Sequence, residues 1–448
     1  MMLEEDLKSF EAMVGFALFC IVVMFGEFFD IIPDPYGYIK YVIWILSIII
    51  TWHAGCTNRV MRINKKVFIY LMPWFLFILI YVLVYNRSIY KHSFYTTFRW
   101  LYYFSFVLLL PMVKECVYPK LINVLKAISG IYVFGVYFFL IFPDKYRIMR
   151  NIWGYWPTGT DGGTVGYHAG FANHYSENAM YIVTTFIIIV AQFLVATDRL
   201  KKRWLSIQML IVAFALVATT KRAHVLFGVV ALICAYYLFK PEKRMTRSFK
   251  ILLASAVGLI VLYLLSFSVP EISAIFERFS HIGSDEESNT RFMMWALALK
   301  NFKENPIIGI GWNGYKYQFY HFLYNPAVRA ERYAYLNAHN VYLQLLCETG
   351  ILGFLIFMSG AIELFVRTLK LLKKNIRDSF SIGSKGTIFF VLTMQIFFWL
   401  YSLTGNCLYD TMFGFYSISI GFVLGYLVQK KNIKEEIYNE KDRNINIS

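Results

Sequence analysis

The sequence predicts an all-α integral membrane protein, and three observations lead to this fold class. Of the 448 residues, 58% are hydrophobic and 19% aromatic, a composition too apolar for a soluble chain of this length. The mean hydropathy of +0.51 agrees. Apolar runs of about 20 residues, enough to cross the hydrocarbon core of a bilayer, recur along the chain.

About twelve such runs are predicted to be transmembrane helices, and no fixed-period repeat or low-complexity linker separates them. We therefore expect residues 1–448 to form a single polytopic membrane domain. The first run follows the acidic segment MMLEEDLKSF, whereas a secretory signal begins with basic residues, so a retained helix is expected there. The runs lie near residues 10–30, 37–54, 67–85, 94–113, 121–142, 177–196, 204–220, 223–239, 250–268, 340–366, 386–404 and 411–429.

The distribution of basic residues gives the expected orientation. If the N-terminus is cytoplasmic, 28 of the 44 Lys and Arg residues fall in the cytoplasmic loops and the two chain ends, as the positive-inside rule requires. Both ends are then cytoplasmic, and residues 430–448 are expected to be a short, disordered cytoplasmic tail. The net charge of +16 is attributed to orientation and to lipid headgroups, so no nucleic-acid partner is expected.

Two long hydrophilic segments, 143–176 and 269–339, are predicted on the extracytoplasmic side, and the second is the large loop of the domain. Within it, NTRFMMWALALKNFKENP has helical spacing that places Phe292, Trp295 and Leu299 on one face. The pattern fits an amphipathic helix lying along the membrane surface, or a helix packed on the outer ends of the spans. The sequence alone does not separate these two interpretations.

No metal ion or other cofactor is expected. The six cysteines lie in or beside the spans and include no CxxC pair, which argues against a disulfide framework or a thiolate zinc site. The acidic cluster GSDEES, residues 283–288, has the composition of a solvated turn more than that of a cation site.

The segment NAHNVYLQLLCETGILGFLIF places His339 and Asn340 where an outer loop meets a long apolar run. Titratable side chains at such a depth are usually functional, and a neutral imidazole suits a general base. The alternative is a histidine that caps the following helix or bonds within the bundle. Asn340 and Glu348, about two turns into that helix, are candidate substrate-binding residues, and an ion pair with an arginine is the other role considered for Glu348.

The outer basic residues are enriched in arginine relative to the lysine-rich cytoplasmic loops. Because a guanidinium binds phosphate bidentately, this face fits an anionic, phosphate-bearing ligand. Lys221 and Arg222 in VATTKRAHVLF are the sharpest pair, since apolar helix lies on both sides of them. Arg147, Arg150 and Arg278 are further candidates. The alternative is that these charges reach lipid headgroups.

Three motifs together resemble the O-antigen ligase and Wzy-type polysaccharide polymerase superfamily. They are TTKRAHVLF, SNTRFMMWALALKNFKENPIIGIGWNGY and AHNVYLQLLCETGILGFLIF, in that order over about residues 219–357. The resemblance implies a GT-C-like membrane glycosyltransferase in the bacterial cytoplasmic membrane, with its active site facing away from the cytoplasm. One departure is a lysine before Arg222, where serine is common in the family.

By this resemblance, the substrate is a glycan carried on undecaprenyl diphosphate. His339 would activate the acceptor hydroxyl, while Arg222 and Arg291 would hold the diphosphate and stabilise the leaving charge. Trp312 and Tyr315 are candidates for stacking on sugar rings, although packing is the commoner use of buried aromatic residues.

The motifs leave the acceptor open. We favour a polymerase that extends lipid-linked repeat units, because no acceptor-specific feature is evident. The alternative is a ligase that transfers the glycan to lipid A-core or to a protein. A chain-length regulator and a flippase are expected as partners of either enzyme. A transporter or flippase is the alternative from another class, but such proteins usually show two related halves, which this sequence lacks.

Overall fold

The computed structural model describes residues 2–26, 39–56, 65–86, 91–153, 168–239, 263–280, 286–316, 336–377 and 382–445. Within these residues the structure is helices joined by turns, without strands. A π-helical stretch, Ile78–Val84, extends α3. The helices are α1 (Met2–Phe25), α2 (Ile39–Cys56), α3 (Lys65–Phe77), α4 (Lys91–Leu109), α5 (Tyr118–Ile141), α6 (Pro143–Trp153), α7 (Tyr175–Val195), α8 (Arg199–Ala218), α9 (Arg222–Phe239), α10 (Pro270–Ser280), α11 (Glu286–Glu304), α12 (Val341–Arg377), α13 (Ile382–Tyr401) and α14 (Met412–Ile445).

In the part of the chain that the structure describes, nine helices are long and apolar enough to cross a membrane. They match nine of the twelve predicted spans and confirm the predicted class, an all-helical integral membrane protein. The predicted spans 94–113 and 204–220 fall in α4 and α8. These helices are less apolar because α4 is rich in Tyr, Ser and Thr and α8 begins with RLKKR. The predicted span 250–268 lies mostly outside the described residues.

Helices α13 and α14 form the centre of the bundle. The apolar span of α14, Met412–Gln429, is almost wholly buried, and most of Gly383–Tyr401 in α13 is buried too. Helix α14 packs on α4, while α13 packs on α7 and α9. Aromatic rings fill these contacts: Phe398 stacks on Tyr416, with 4.2 Å between ring centroids, and Trp100 stacks on Phe413 at 4.6 Å. Close packing of this kind is what holds helices together in lipid.

Helix α12 is broken at Gly350, where φ is 62° and ψ is −172°. A break in a span frees backbone groups, which must find partners because lipid offers none. The segment 306–311, PIIGIG, supplies these partners through four backbone hydrogen bonds. The N–H groups of Ile310 and Gly311 donate to the carbonyls of Cys347 (3.0 Å) and Glu348 (2.8 Å), and those of Ile351 and Leu352 donate to the carbonyls of Pro306 (2.8 Å) and Ile307 (3.1 Å).

Helix α11 confirms the helix predicted from NTRFMMWALALKNFKENP, but it begins earlier than predicted, at Glu286. One face packs on the start of α12 and buries Met294, Leu297 and Ala298. The opposite face leaves Phe292 and Leu299 exposed. The helix is therefore packed on the bundle and still presents an apolar surface.

The chain end differs from the prediction. The tail expected to be disordered is helical as far as Ile445, because α14 continues through it. The sequence KKNIKEEIYNEK is rich in Lys and Glu, which favour helix.

Candidate functional site

The turn between α13 and α14 lies at the end of the bundle where α7, α9 and α12 begin. We refer to residues 402–411 as the 402–411 turn. Its backbone is tied to the start of α12, since the Val341 N–H donates to the Ser402 carbonyl at 2.9 Å. Residues from all three sequence motifs are arranged around this turn.

His339 is fixed by the middle of the 402–411 turn. Its N–H donates to Asn406 Oδ1 at 3.0 Å, and the Asn406 amide nitrogen lies 3.4 Å from His339 Nδ1. His339 has a positive φ of 50°, a conformation that costs free energy for a residue other than glycine. The neighbouring Asn340 caps α12 by accepting from the Leu343 N–H at 3.0 Å, and it donates to the Leu403 carbonyl at 3.1 Å. His339 is therefore held in one orientation while remaining partly exposed.

Lys221 and Arg222 lie at the start of α9, beside one end of the 402–411 turn. The ring of His224, one turn below, packs against Tyr401 with 4.3 Å between centroids. Lys221 Nζ lies 4.1 Å above the ring of Tyr175. Next to Tyr175, Ser176 Oγ lies 3.4 Å from the Tyr401 hydroxyl. The basic pair predicted from TTKRAHVLF is thus brought to the last residue of α13.

Arg291, on α11, reaches the same end of the turn. It is partly buried, and its charge lies within electrostatic range of the Tyr401 hydroxyl. The structure therefore gathers Lys221, Arg222 and Arg291 near Tyr401, with His339 held in the middle of the 402–411 turn.

Glu348 lies behind His339 on α12 and is fully buried. Its carboxylate accepts four hydrogen bonds, which lock the loop after segment 306–311 and the end of the 402–411 turn to α12. The donors are the Asn313 N–H (3.1 Å), the Tyr315 N–H (3.2 Å), Gln344 Nε2 (3.1 Å) and the Tyr409 hydroxyl (2.7 Å). This arrangement satisfies a buried carboxylate with hydrogen-bond donors rather than with the arginine considered from the sequence.

Lys316 and Arg99 lie at the other end of the 402–411 turn. Arg99, on α4, donates from Nη2 to the Tyr409 carbonyl at 2.9 Å. Lys316 lies within electrostatic range of Arg99, Glu348 and Asp410. The pKa of Lys316 is lowered to about 8, mainly by burial and then by the Arg99 charge, against the opposing effect of Glu348 and Asp410. A second group of cations therefore flanks the turn.

Backbone strain concentrates at this end of the bundle. Among the described residues, the non-glycine residues with positive φ are Thr220 (53°), Asn313 (60°) and His339 (50°). Each of these three residues lies within one of the three motifs, and Thr220 directly precedes the basic pair Lys221 and Arg222. Such strain persists only where the surrounding structure enforces it, and it is typical of functional sites.

The remaining candidate residues are placed differently. Trp312 and Tyr315 are buried: Trp312 stacks on Tyr409 at 5.0 Å, and the Tyr315 hydroxyl donates to the Met294 carbonyl at 2.8 Å. Burial raises the pKa of Tyr315. In the structure both residues pack inside the protein, and their stacking on sugar rings stays a prediction.

The two candidate arginines of α6 lie in contrasting environments. Arg150 is only 2% exposed, and its guanidinium donates to the carbonyls of Gly170 and Ala172 and to the Tyr146 hydroxyl. Arg147 is half-exposed and lies 3.8 Å from Asp144. Arg278 is part of α10, but its side chain lies outside what the structure describes. The binding roles of these three residues stay predictions.

No cluster of three or more His, Cys, Asp or Glu side chains that could hold a metal ion is found in the described parts of the chain. The acidic segment 283–288, considered as a cation site, falls partly outside the described residues, and the side chains of its glutamates are not described.

Five residues of this site were not among the candidates predicted from the sequence: Tyr401, Asn406, Tyr409, Arg99 and Lys316. The turn YSLTGNCLYDT offers a signal, since a polar stretch with Asn, Asp and two Tyr separates two apolar runs. Arg99 and Lys316 were recognised only as outer basic residues, because nothing in their spacing indicates that α4 and the loop after α11 meet.

The fold and this site define a multi-pass membrane protein with a polar, cation-rich site at one end of its helix bundle. Residues 207–358 match the O-antigen ligase family model. This match confirms the resemblance to the O-antigen ligase and Wzy-type polymerase superfamily and spans Arg222, Arg291 and His339. It supports an activity of the O-antigen ligase or polymerase type. No curated protein matches the chain.

Proposed function

We propose that this protein is a glycosyltransferase that polymerises oligosaccharide repeat units carried on undecaprenyl diphosphate. The observation that carries the proposal is the meeting of three motifs around the 402–411 turn. They contribute the basic pair of α9, Arg291 of α11 and His339 before α12. Such a site offers a proton acceptor next to preorganised cations, the two requirements for displacing a diphosphate from a sugar.

His339 is the proposed general base. The acceptor hydroxyl oxygen attacks the anomeric carbon of the donor sugar and forms the new glycosidic bond, while its proton passes to the imidazole. Asn406 supports this role by holding both the backbone and the ring of His339. Restricting the base to one orientation lowers the entropic cost of reaching the transition state.

Arg222 and Arg291 are the proposed ligands of the diphosphate. The bond between the anomeric carbon and the diphosphate oxygen breaks with its electron pair, so negative charge grows on the leaving group. Two guanidinium groups fixed on α9 and α11 stabilise that charge without a metal ion. Lys221 adds a further positive charge at the same helix start.

The active site is proposed to face away from the cytoplasm in the bacterial cytoplasmic membrane, since the basic loops predicted to be cytoplasmic belong to the other ends of the spans. In this place the enzyme would receive lipid-linked repeat units from a flippase and act with a chain-length regulator.

The test is a transfer assay with purified protein and lipid-diphosphate-linked glycan. Wild type is compared with His339→Ala and Arg222→Ala, and products are read as length on a gel and as lipid attachment by mass spectrometry. Matched controls are His53→Ala and Arg199→Ala, because both residues are exposed and lie outside the three motifs. We expect a ladder of lengthening lipid-linked glycan with wild type and both controls.

In the His339 and Arg222 variants we expect the rate to fall by about 100-fold or more, the usual contribution of a general base or of one charge-stabilising group. Full activity of both variants would refute the mechanism. Transfer that requires a separately added acceptor, such as lipid A-core, would identify a ligase instead of a polymerase.

A further inference from the structure

The cations at the Tyr409 end of the 402–411 turn are not used by the mechanism above. Arg99 and Lys316 lie there, whereas Lys221, Arg222 and Arg291 lie near Tyr401 at the start of the turn. His339 contacts Asn406, between the two ends. A ligand centred on His339 would therefore have a cation group on either side of it.

Lys316 is the residue at this end with an unused charge. Among the residues that the structure describes, its ammonium makes no hydrogen bond and no ion pair, although Arg99, Glu348 and Asp410 are all within electrostatic range. The Glu348 carboxylate is occupied by four other donors. Asp410 accepts from the Met412 N–H at 2.8 Å, at the start of α14. A largely buried ammonium without a partner is costly unless an anion joins it.

A second, independent feature points to a ligand here. The Thr411 hydroxyl, in a residue that is 4% exposed, has no hydrogen-bond partner in the described part of the chain, and neither has the buried hydroxyl of Thr404 in the same turn. Buried hydroxyls are nearly always paired in folded proteins. A ligand that carries hydroxyl groups as well as a negative charge would satisfy Thr411 and Lys316 together.

We propose that Arg99, Lys316 and Thr411 form a second anion-binding subsite, which accepts an acidic sugar of the glycan. The chemical class is a sugar bearing a carboxylate, such as a uronic acid. The carboxylate would lie between the guanidinium and the ammonium, and the ring hydroxyls would reach Thr411. This inference rests on the proposed function, because it assumes that a glycan occupies the site around His339.

A carboxylate sugar fits this subsite better than the diphosphate does. The diphosphate already has Lys221, Arg222 and Arg291, which the contacts place at the opposite end of the 402–411 turn. The carboxylates of Glu348 and Asp410 both lie within electrostatic range of Lys316 and lower the net positive charge of the Arg99 and Lys316 subsite. A subsite with so little net positive charge suits a single negative charge better than a diphosphate, which carries more.

The test is chemical protection of Lys316 in the full-length protein, purified in lipid nanodiscs. Acetylation by acetic anhydride at neutral pH is followed for each lysine by peptide mass spectrometry. The probes are glucuronate, glucose and inorganic pyrophosphate. The exposed Lys300 on α11 is the internal control, since it lies outside the subsite. Saturating glucuronate is expected to slow acetylation of Lys316 about tenfold and to leave Lys300 unchanged, whereas glucose protects neither lysine.

Three variants test whether glucuronate binding depends on Lys316 specifically. Lys316→Met keeps an unbranched side chain without the charge, and glucuronate affinity measured by calorimetry is expected to fall about tenfold. Lys300→Met is expected to leave that affinity unchanged. Arg222→Ala, which removes a proposed diphosphate ligand, is expected to leave glucuronate protection of Lys316 intact.

Equal protection of Lys316 by glucose, protection by pyrophosphate alone, or unchanged glucuronate affinity in Lys316→Met would overturn the acidic-sugar subsite. These readouts measure binding without transfer. Glucuronate protection in a protein that fails the transfer assay would leave the subsite standing and remove the proposed function, and the reverse result would remove only the subsite.

Discussion

Gly309 and Gly350 lie against each other's flanking backbone, each with a positive φ, 73° for Gly309 and 62° for Gly350. A Cβ on Gly309 would overlap the carbonyl of Glu348, and one on Gly350 would overlap the carbonyl of Ile307. The close approach allows segment 306–311 to complete the backbone hydrogen bonds of the broken helix α12. Two of the three family motifs are therefore parts of a single structural unit.

Gly350→Ala is expected to destabilise the protein. The left-handed conformation and the backbone overlap together should cost roughly 1–3 kcal/mol or more, because neither backbone can move without breaking hydrogen bonds. The measurement is the thermal unfolding midpoint in detergent. The control is Gly130→Ala in α5, where a Cβ meets nothing within 4 Å; stability should hold or rise by about 0.5–1 kcal/mol. A wild-type midpoint for Gly350→Ala would show that the close approach of the backbones around Gly309 and Gly350 is not required for stability.

The four hydrogen bonds of Glu348 predict that this carboxylate holds the loop of Asn313 and Tyr315 in place. Glu348→Gln turns an amide N–H₂ towards groups that are themselves donors, so amide hydrogen exchange at residues 313–316 should accelerate. Tyr409→Phe, which removes the 2.7 Å bond alone, should lower stability by about 1.5–3 kcal/mol.

Glu363→Gln is the control for the Glu348 experiment. Glu363 is partly exposed and pairs with Arg367 within α12, so its substitution should leave exchange at residues 313–316 unchanged. Equal exchange in Glu348→Gln and wild type would mean that the loop is held by other contacts.

Arg150 is predicted to stabilise the fold through its hydrogen bonds with the carbonyls of Gly170 and Ala172. Arg150→Lys keeps the charge but loses the planar fork, so the thermal midpoint should fall by the equivalent of about 1.5–3 kcal/mol. Arg147→Lys, at a half-exposed position on the same helix, should have little effect on stability. A glycan-binding defect in Arg150→Lys without any loss of stability would instead support the binding role inferred from the sequence.

The sequence was sufficient to predict the membrane class, most of the spans and the helix of the large loop, because long apolar runs and helical spacing are local signals. It also indicated His339, Lys221 and Arg222, each of which interrupts or borders an apolar run. Local patterns could not reveal that PIIGIG completes the backbone of α12. That contact joins segments about 40 residues apart, and the glycines alone indicated only a turn.

The environment of Glu348 shows the same limit. A carboxylate within a span suggested an arginine partner, but the structure supplies backbone N–H groups and a tyrosine hydroxyl from two other segments. Backbone donors are invisible in a sequence, since every residue except proline carries one. The grouping of Arg99 with Lys316 could not be inferred from spacing either, because it depends on the packing of α4 against α14.

The exposed apolar face of α11 predicts contact with the membrane. A spin label at Phe292→Cys, on a residue that is 57% exposed, should be more accessible to oxygen dissolved in lipid than to a water-soluble nickel complex. A label at Lys300→Cys should show the opposite preference. The accessible native thiols of Cys56, Cys116 and Cys234 are first replaced by serine. Equal nickel accessibility at both positions would mean that α11 is held away from the bilayer.

The lowered pKa of Lys316 predicts that the binding of an acidic sugar depends on pH. With a pKa of about 8, the ammonium loses its proton as the pH rises through about 8, whereas an ordinary lysine would stay charged to about pH 10. Glucuronate affinity should therefore decrease between about pH 7 and pH 9. An anion bound beside Lys316 raises this pKa in the complex, so binding at about pH 8 should be accompanied by proton uptake, measurable as a buffer-dependent heat in calorimetry.

The variant Lys316→Arg distinguishes the titration of Lys316 from that of the other charged groups around it. The guanidinium remains protonated throughout this range, so the affinity of the variant should be nearly constant from about pH 7 to pH 9. Arg99 keeps its charge over the same range, whereas loss of a proton from Glu348 or Asp410 would weaken anion binding in Lys316→Arg as well as in wild type. A decrease in affinity that persists in Lys316→Arg would therefore assign the pH dependence to a group other than Lys316.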